Sequence, residues 1–359
     1  MKKIIAVLLT TALLLGTTAC APSGTKTTPP PSASAPSGSP EQKTQNPSEI
    51  QIGVLIPGSP TNGGFCEQGA NGADLIRNMG YKVSLVEAVT AEEIKSEAEN
   101  MASEGYKIVF GHGGQCDTPF SEVSPDYPDT WFVVTGGNII TANQFPFYVA
   151  QEETAYLMGM IAGMMTKSGT VAFNLDGDFP AYTVLTNAYQ LAAETVNPEV
   201  KTLSVLLSAA TSSEGYETTL NQISAGADMI YSNTNEAQSG AMKAAEESEG
   251  VYIFGNADDF SSVAPNSCLV SMITHYTVGF EKVVQLLMSG EPFEPEIVFV
   301  SMKDGGSELC WNEKLQDQVP AEVMEAVEKA TQEIYDGTLH VPTAYDIGSD
   351  YQIGQVIRP

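Results

Sequence analysis

From Ile50 onward the chain alternates between two rhythms. Short unbroken apolar runs, Ile50–Pro57, Tyr81–Val86, Lys107–Gly111 and Trp131–Thr135, are bounded by glycine, proline or charge and read as buried strands. Between them apolar residues return at helical spacing. Ala70, Ala73, Leu75 and Ile76 mark one helix, and Ile94, Ala98 and Met101 mark a second that Thr90 and Glu93 open as a capping box and Gly105 stops. A short helical stretch surrounds Phe120. The pattern then restarts, with helices over about 151–167 and 182–196, others around Leu220 and Met242, and strands at Thr170–Asn174, Thr202–Leu207, Met229–Ser232 and Val251–Gly255. A strand at Leu269–Ile273, a helix to Met288, a strand at Ile297–Ser301 and a helix over Ala321–Tyr335 complete it.

Repeated βα units of this length predict parallel sheets covered by helices on both faces, because parallel neighbours need a crossover helix. Two sets predict an α/β fold of two doubly wound parallel-sheet lobes, with the late elements crossing back to form a multi-strand hinge. The expected boundaries are 49–145 plus about 272–293 for the first lobe, 146–271 plus about 294–342 for the second, and 343–359 as a tail.

The first 48 residues follow neither rhythm. Lys2 and Lys3 precede an apolar run from Ile4 to Leu15, too short to span a bilayer and typical of a secretory signal over 1–19. Thr17-Thr18-Ala19-Cys20 resembles the cleavage site that leaves a lipid-modified cysteine, so Cys20 is the expected lipid anchor. Residues 20–48, rich in Pro, Ser and Thr, hold too little apolar surface to offset chain entropy and read as a flexible tether.

Charge narrows the functional classes. With 44 acidic against 16 basic residues and a formal charge of −28, the chain lacks the basic footprint that phosphate backbones require, and nucleic acid is excluded as a partner. The same charge leaves the lipid as the route to a membrane. Besides Cys20 there are four cysteines, open to three pairings; the loops carrying Cys66 and Cys116 should neighbour each other, which favours Cys66–Cys116 and leaves Cys268–Cys310. No close cysteine pairs occur and only His112, His275 and His340 are present, so neither a metal site nor a cofactor is expected.

In open α/β sheets ligands bind beyond the carboxyl ends of the strands. The loops there supply Asn62, Phe65 and Cys66 after the first strand and His112 and Asp117 after the third. The second half supplies Asp178 and Phe179, then Asn233 and Asn235, then Asp259. Flat rings beside amides and carboxylates suit an uncharged, planar, polar ligand. Each residue also has a plainer reading, since a loop Phe often plugs a core and a loop Asp or Asn often shapes a turn. No GxSxG elbow, P-loop or GxGxxG follows a strand, and no nucleophile, base and metal set stands out, which argues against an enzyme.

Tyr127-Pro128-Asp129-Thr130-Trp131-Phe132, Glu153–Gly159 followed by Ala162–Gly169, Val196-Asn197-Pro198, Gly226-Ala227-Asp228, Gly250-Val251-Tyr252 and Lys303-Asp304-Gly305-Gly306 stand in this order along the chain. Together they resemble the basic membrane protein family of substrate-binding lipoproteins, which are similar to type I periplasmic binding proteins. The resemblance covers about 50–341. It implies a receptor for a purine nucleoside or nucleobase that serves an ABC permease, with Phe65 as the stacking aromatic and Asp259 and Asp117 as ligand-binding carboxylates; the chain is expected to be monomeric. Three positions depart from the family pattern. Cys66 replaces an Asn, Thr274 stands where nucleoside receptors carry a ribose-contacting Lys, and Asn256-Ala257-Asp258-Asp259 replaces Val-Asp-Ser-Asp. A sensing receptor for another small solute and a surface nucleoside hydrolase are the rival readings.

Overall fold

A computed structural model describes residues 46–61, 64–178, 180–348 and 351–359. The expected signal, Cys20 and nearly all of the tether lie outside the described residues, as do Asn62 and Phe179. Asn46 caps a helical turn over Pro47–Glu49.

The first part runs β1 (Gln51–Ile56), α1 (Phe65–Asn78), β2 (Lys82–Glu87), α2 (Ala91–Ser103), β3 (Ile108–Gly111), α3 (Asp117–Val123), β4 (Trp131–Thr135) and β5 (Gln144–Val149). The second runs α4 (Gln151–Met165), β6 (Thr170–Leu175), α5 (Pro180–Val196), β7 (Lys201–Leu206), α6 (Ser212–Ser224), β8 (Met229–Asn233), α7 (Ala237–Glu246), β9 (Tyr252–Gly255) and β10 (Cys268–Thr274). There follow α8 (Tyr276–Met288), β11 (Val298–Val300), β12 (Ser307–Trp311), α9 (Ala321–Tyr335) and α10 (Ala344–Ile347). Among the described residues the strands form two sheets of six, ordered β11-β5-β4-β3-β1-β2 and β12-β10-β9-β8-β6-β7. All pairings are parallel except β10 with β12. The two-lobed α/β architecture is therefore as the sequence predicts.

Strand alternation divides each core. In the first sheet Ile52, Val54 and Ile56 pack on one face with Ala73 and Ile76 of α1 and Phe280 and Val283 of α8. Leu55, Val109, Phe132 and Val134 pack on the other with Ile94 and Met101 of α2 and Phe120 of α3. In the second sheet α4, α5 and α9 cover one face, and α7 with the edge of α6 covers the other.

Four features differ from expectation. The sequence reading placed 294–342 in the second lobe, but β11 pairs with β5 in the first sheet. β5 itself is unexpected because Pro146 interrupts its pattern. Its odd residues bond β4, with the amide of Gly136 donating to Phe147 O and that of Phe132 to Asn143 O. Pro146 thus turns its missing donor toward β11, whose pairing starts only at Phe147. β12 is a half-exposed return strand with little apolar signal.

The expected disulfides are also absent: Cys66, Cys116, Cys268 and Cys310 are all thiols. Cys116 lies in the cluster on the α2 and α3 face, whereas Cys66 lies in the first turn of α1, the helix that packs on the opposite face. Cys310 pairs across the ladder with Ser271, three residues from Cys268.

Among the described residues the chain crosses between lobes at three places, Ala150, His275 and Ser301, each joining an element of one lobe to one of the other. The crossings are tied together. Ala150 N–H donates to Val300 O at 2.9 Å, His275 N–H to Gly306 O at 2.8 Å and Met302 N–H to Glu153 Oε2 at 2.7 Å. Gln151 accepts from Thr274 Oγ1 at 3.2 Å and donates to the Tyr276 oxygen at 2.9 Å.

Candidate functional site

The carboxyl ends of β1, β3 and β4 carry the first wall. Phe65 opens α1, and its ring lies face to face with His112 at the end of β3, with centroids 3.9 Å apart and planes 17° from parallel. Tyr276, the first residue of α8 after a crossing, meets both rings edge-on, at 5.4 Å from Phe65 and 5.3 Å from His112. Phe65 remains 39% exposed while His112 is fully buried. The close approach depends on Gly69, one turn into α1, because a β-carbon there would sit 2.7 Å from the His112 ring and 2.8 Å from Ile56.

The hydrogen bonds fix the imidazole's state. Its Nε2 lies 2.7 Å from Phe65 O, which can only accept, so Nε2 carries the proton and donates. Nδ1 then accepts from Thr135 Oγ1 at 3.2 Å. Burial lowers the imidazole pKa to about 4, the bond to Phe65 O opposing it, so the ring under Phe65 is neutral at neutral pH.

Asp117, expected in the site, is buried and turned toward the loop after β4. Its Oδ2 accepts from Asn138 N–H at 2.5 Å, and Gln144 Nε2 donates to its backbone O at 3.0 Å. Burial raises its pKa against those bonds. Asp117 thus shapes the wall that carries Gly136–Asn138. Cys66 is buried near Gly58.

The ends of β6, β8 and β9 carry the second wall, which is polar. Asn235 donates from N–H and Nδ2 to Asp176 Oδ2 at 2.9 and 3.0 Å, and from Nδ2 to the Tyr182 oxygen at 2.7 Å. Asn233 is buried and donates to Tyr182 O at 3.0 Å. Asp176 Oδ1 is enclosed without a hydrogen-bond partner. After β9, Gln238 holds both backbone groups of Asn256, accepting from N–H at 2.7 Å and donating to O at 3.1 Å. The next residue, Ala257, has φ of 71°, a left-handed conformation that costs an alanine roughly 1 kcal/mol and concentrates at functional loops. Asp259 is exposed and accepts from Ser261 N–H and Oγ at 2.8 and 3.0 Å, a local turn. Asp178 is exposed too.

Burial pushes the Tyr276 phenol up to about 12, with the bond from Gln151 opposing the rise and the charge of Tyr182 in the second lobe adding to it. Of the expected residues, Phe65 and His112 come together on one wall and Asn233 and Asn235 on the other, while Asp117 and Asp259 serve their own loops. Tyr182, Tyr276 and Asp176 carry much of the geometry and were not singled out. Tyr276 was detectable as an aromatic placed where a chain crossing meets a helix start, and Asp176 lies in the same loop as Asp178. Among the described residues no group of three or more His, Cys, Asp and Glu could hold a metal, and no helix is long and apolar enough to cross a membrane.

This geometry agrees with what the chain is similar to. Residues 49–344 match the Bmp family, described as ABC transporter substrate-binding protein PnrA-like. A purine-binding protein of Brucella abortus is 22% identical over 263 residues, covering 72% of this chain and 74% of that protein. The ABC transporter nucleoside-binding protein BmpA of Lactococcus lactis subsp. cremoris is 23% identical over 292 residues, covering 75% and 80%. Among solved structures, an ABC transporter solute-binding protein from Aeropyrum pernix K1 superposes with a TM-score of 0.67 at 17% identity, covering 81% of this chain and 92% of that one. Substrate-binding proteins of ABC importers work outside the cytoplasm, delivering a small molecule to a membrane permease. With more than four-fifths of its length matched, this chain belongs to the Bmp family of PnrA-like ABC transporter substrate-binding proteins.

Proposed function

We propose that this protein is a lipid-anchored receptor that captures a purine nucleobase or nucleoside between its lobes and presents it to an importer without transforming it. The observation that carries this reading is Phe65, whose ring is backed by buried neutral His112 and still 39% exposed. A flat aromatic solute stacks on such a ring, and the amides and carboxylates of the opposite wall read its edge. The purine- and nucleoside-binding relatives support the same class. Thr274 is buried and donates to Gln151, so the position that holds a ribose-contacting Lys in nucleoside receptors serves the hinge here. That favours ligands held chiefly by their base.

Titration calorimetry of the folded body against adenine, hypoxanthine, adenosine, guanosine and inosine tests the reading. Binding of at least one purine is expected, with no change in the ligand recovered afterwards. Absence of heat and of any thermal shift with all five at millimolar concentration overturns the purine assignment. For the anchor, Cys20→Ser in the full chain is expected to move the protein from the membrane fraction to the soluble one; retention in the membrane fraction counts against lipidation.

A further inference from the structure

The family match ends at residue 344, and the chain beyond it makes an unusual set of contacts. Its last part lies along α5 of the second lobe. Ile357 N–H donates to Asn187 Oδ1 at 2.8 Å, Gln190 Nε2 donates to Gly354 O at 3.4 Å, and Arg358 pairs with Glu194 at 3.0 Å. Ile347 and Tyr351 are buried in the same lobe's core. Tyr345, only two residues before Ile347, belongs to the other lobe. Its hydroxyl donates to Gly137 O at 2.7 Å, and its ring meets Tyr148 of β5 edge-on at 5.2 Å and Phe299 of β11 at 6.0 Å. Ala344 N–H donates to the Tyr148 oxygen at 3.4 Å. The docking point is firm, because Asp117 holds the adjoining amide of Asn138.

We propose that Thr343–Ile347 is an interlobe latch. The segment is fastened to the second lobe on one side and inserts Tyr345 into the first on the other. It thereby adds a fourth, non-covalent tie to the three covalent crossings. If the lobes swing apart about those crossings, the strap stays on α5, so the Tyr345 hydroxyl must leave Gly137 and its ring must leave Tyr148 and Phe299. The latch therefore biases the lobe equilibrium toward the arrangement described here before any solute arrives.

The test uses the folded chain with no solute added, so its outcome is independent of the purine assignment. Ketone-bearing residues at exposed positions Glu92 and Glu199 carry spin labels that leave the thiols untouched, and pulsed electron resonance reads the interlobe distance distribution. In Tyr345→Phe, which keeps the ring and loses one neutral hydrogen bond, the ratio of separated to latched lobes should rise roughly three- to tenfold. Tyr345→Ala should raise it further, with circular dichroism unchanged. Superimposable distributions for wild type and Tyr345→Phe overturn the latch, and that comparison decides even if the alanine variant fails to fold.

Discussion

The strand-end surfaces of the two lobes are built on opposite principles. The first is three aromatic rings packed against one another, with the buried imidazole bonded at both nitrogens and a glycine making room for it. The second is a set of amides, carboxylates and a tyrosine, with Asn235 exposed and one oxygen of Asp176 unmet. A preformed aromatic platform supplies stacking energy with little ordering cost, whereas a polar wall supplies discrimination and adjusts as the lobes close. The first wall should set how tightly a planar solute binds, and the second which one.

The largest expected effect tests how each lobe keeps a buried titratable group neutral. Glu152, at the start of α4, is fully buried, accepts from Tyr148 at 2.8 Å, and has its pKa raised to about 8 by burial. Between its ordinary value and 8 the unfolded chain has lost this proton and the folded chain keeps it, so its contribution falls as pH rises through that window, by up to about 1.4 kcal/mol per unit. The stability difference between Glu152→Gln and the wild type should move in the variant's favour by on the order of 4 kcal/mol between pH 5 and pH 8, in urea denaturation at both pH values; parallel pH profiles would sink the assignment. His112 has the opposite sign. Its lowered pKa means the unfolded chain takes up a proton first, so stability is lost as pH falls from about 6.5 toward 4.

Next in size, Gly69→Ala should cost roughly 1–3 kcal/mol by driving a methyl into His112 and Ile56, and should also broaden the Phe65 ring signals in NMR. If stability is unchanged, the platform is less rigid than its packing indicates. Phe65→Ala should then weaken purine binding about ten- to a hundredfold with little change in melting temperature, against roughly three- to tenfold for Asn235→Ala. Calorimetry that ranks the two the other way round would break the contrast between the walls. Smallest, Ala257→Gly should stabilise the second lobe by roughly 0.5–1 kcal/mol by relieving its left-handed backbone.

The βα repeats were legible because buried parallel strands such as Ile52–Ile56 are continuous apolar runs and the Thr90–Glu93 box announces its helix. β5 and β12 were not. One carries a proline that is tolerated only because its partner strand starts later, and the other is half exposed, so both depend on pairing that local pattern does not encode. In the site, Phe65 was readable as an aromatic in a strand-end loop. The roles of His112, Asp117 and Asp259 were not, since whether a loop side chain faces solute, ring or its own backbone is decided by contacts distant in sequence. The thiols teach the same lesson: Cys66 and Cys116 follow neighbouring strands, yet Cys116 packs among the α2 and α3 side chains and Cys66 lies beside Gly58.

The three crossings have a consequence for how the molecule is made. The outer strand of the first sheet, β11, is supplied by residues 298–300, and that of the second, β12, by residues 307–311. No contiguous stretch therefore encodes a whole lobe, and a ribosome has released most of the polypeptide before either sheet can acquire its last edge. The two halves must mature almost together and late, and a fragment cut at any one crossing would expose an unpaired strand to its neighbours.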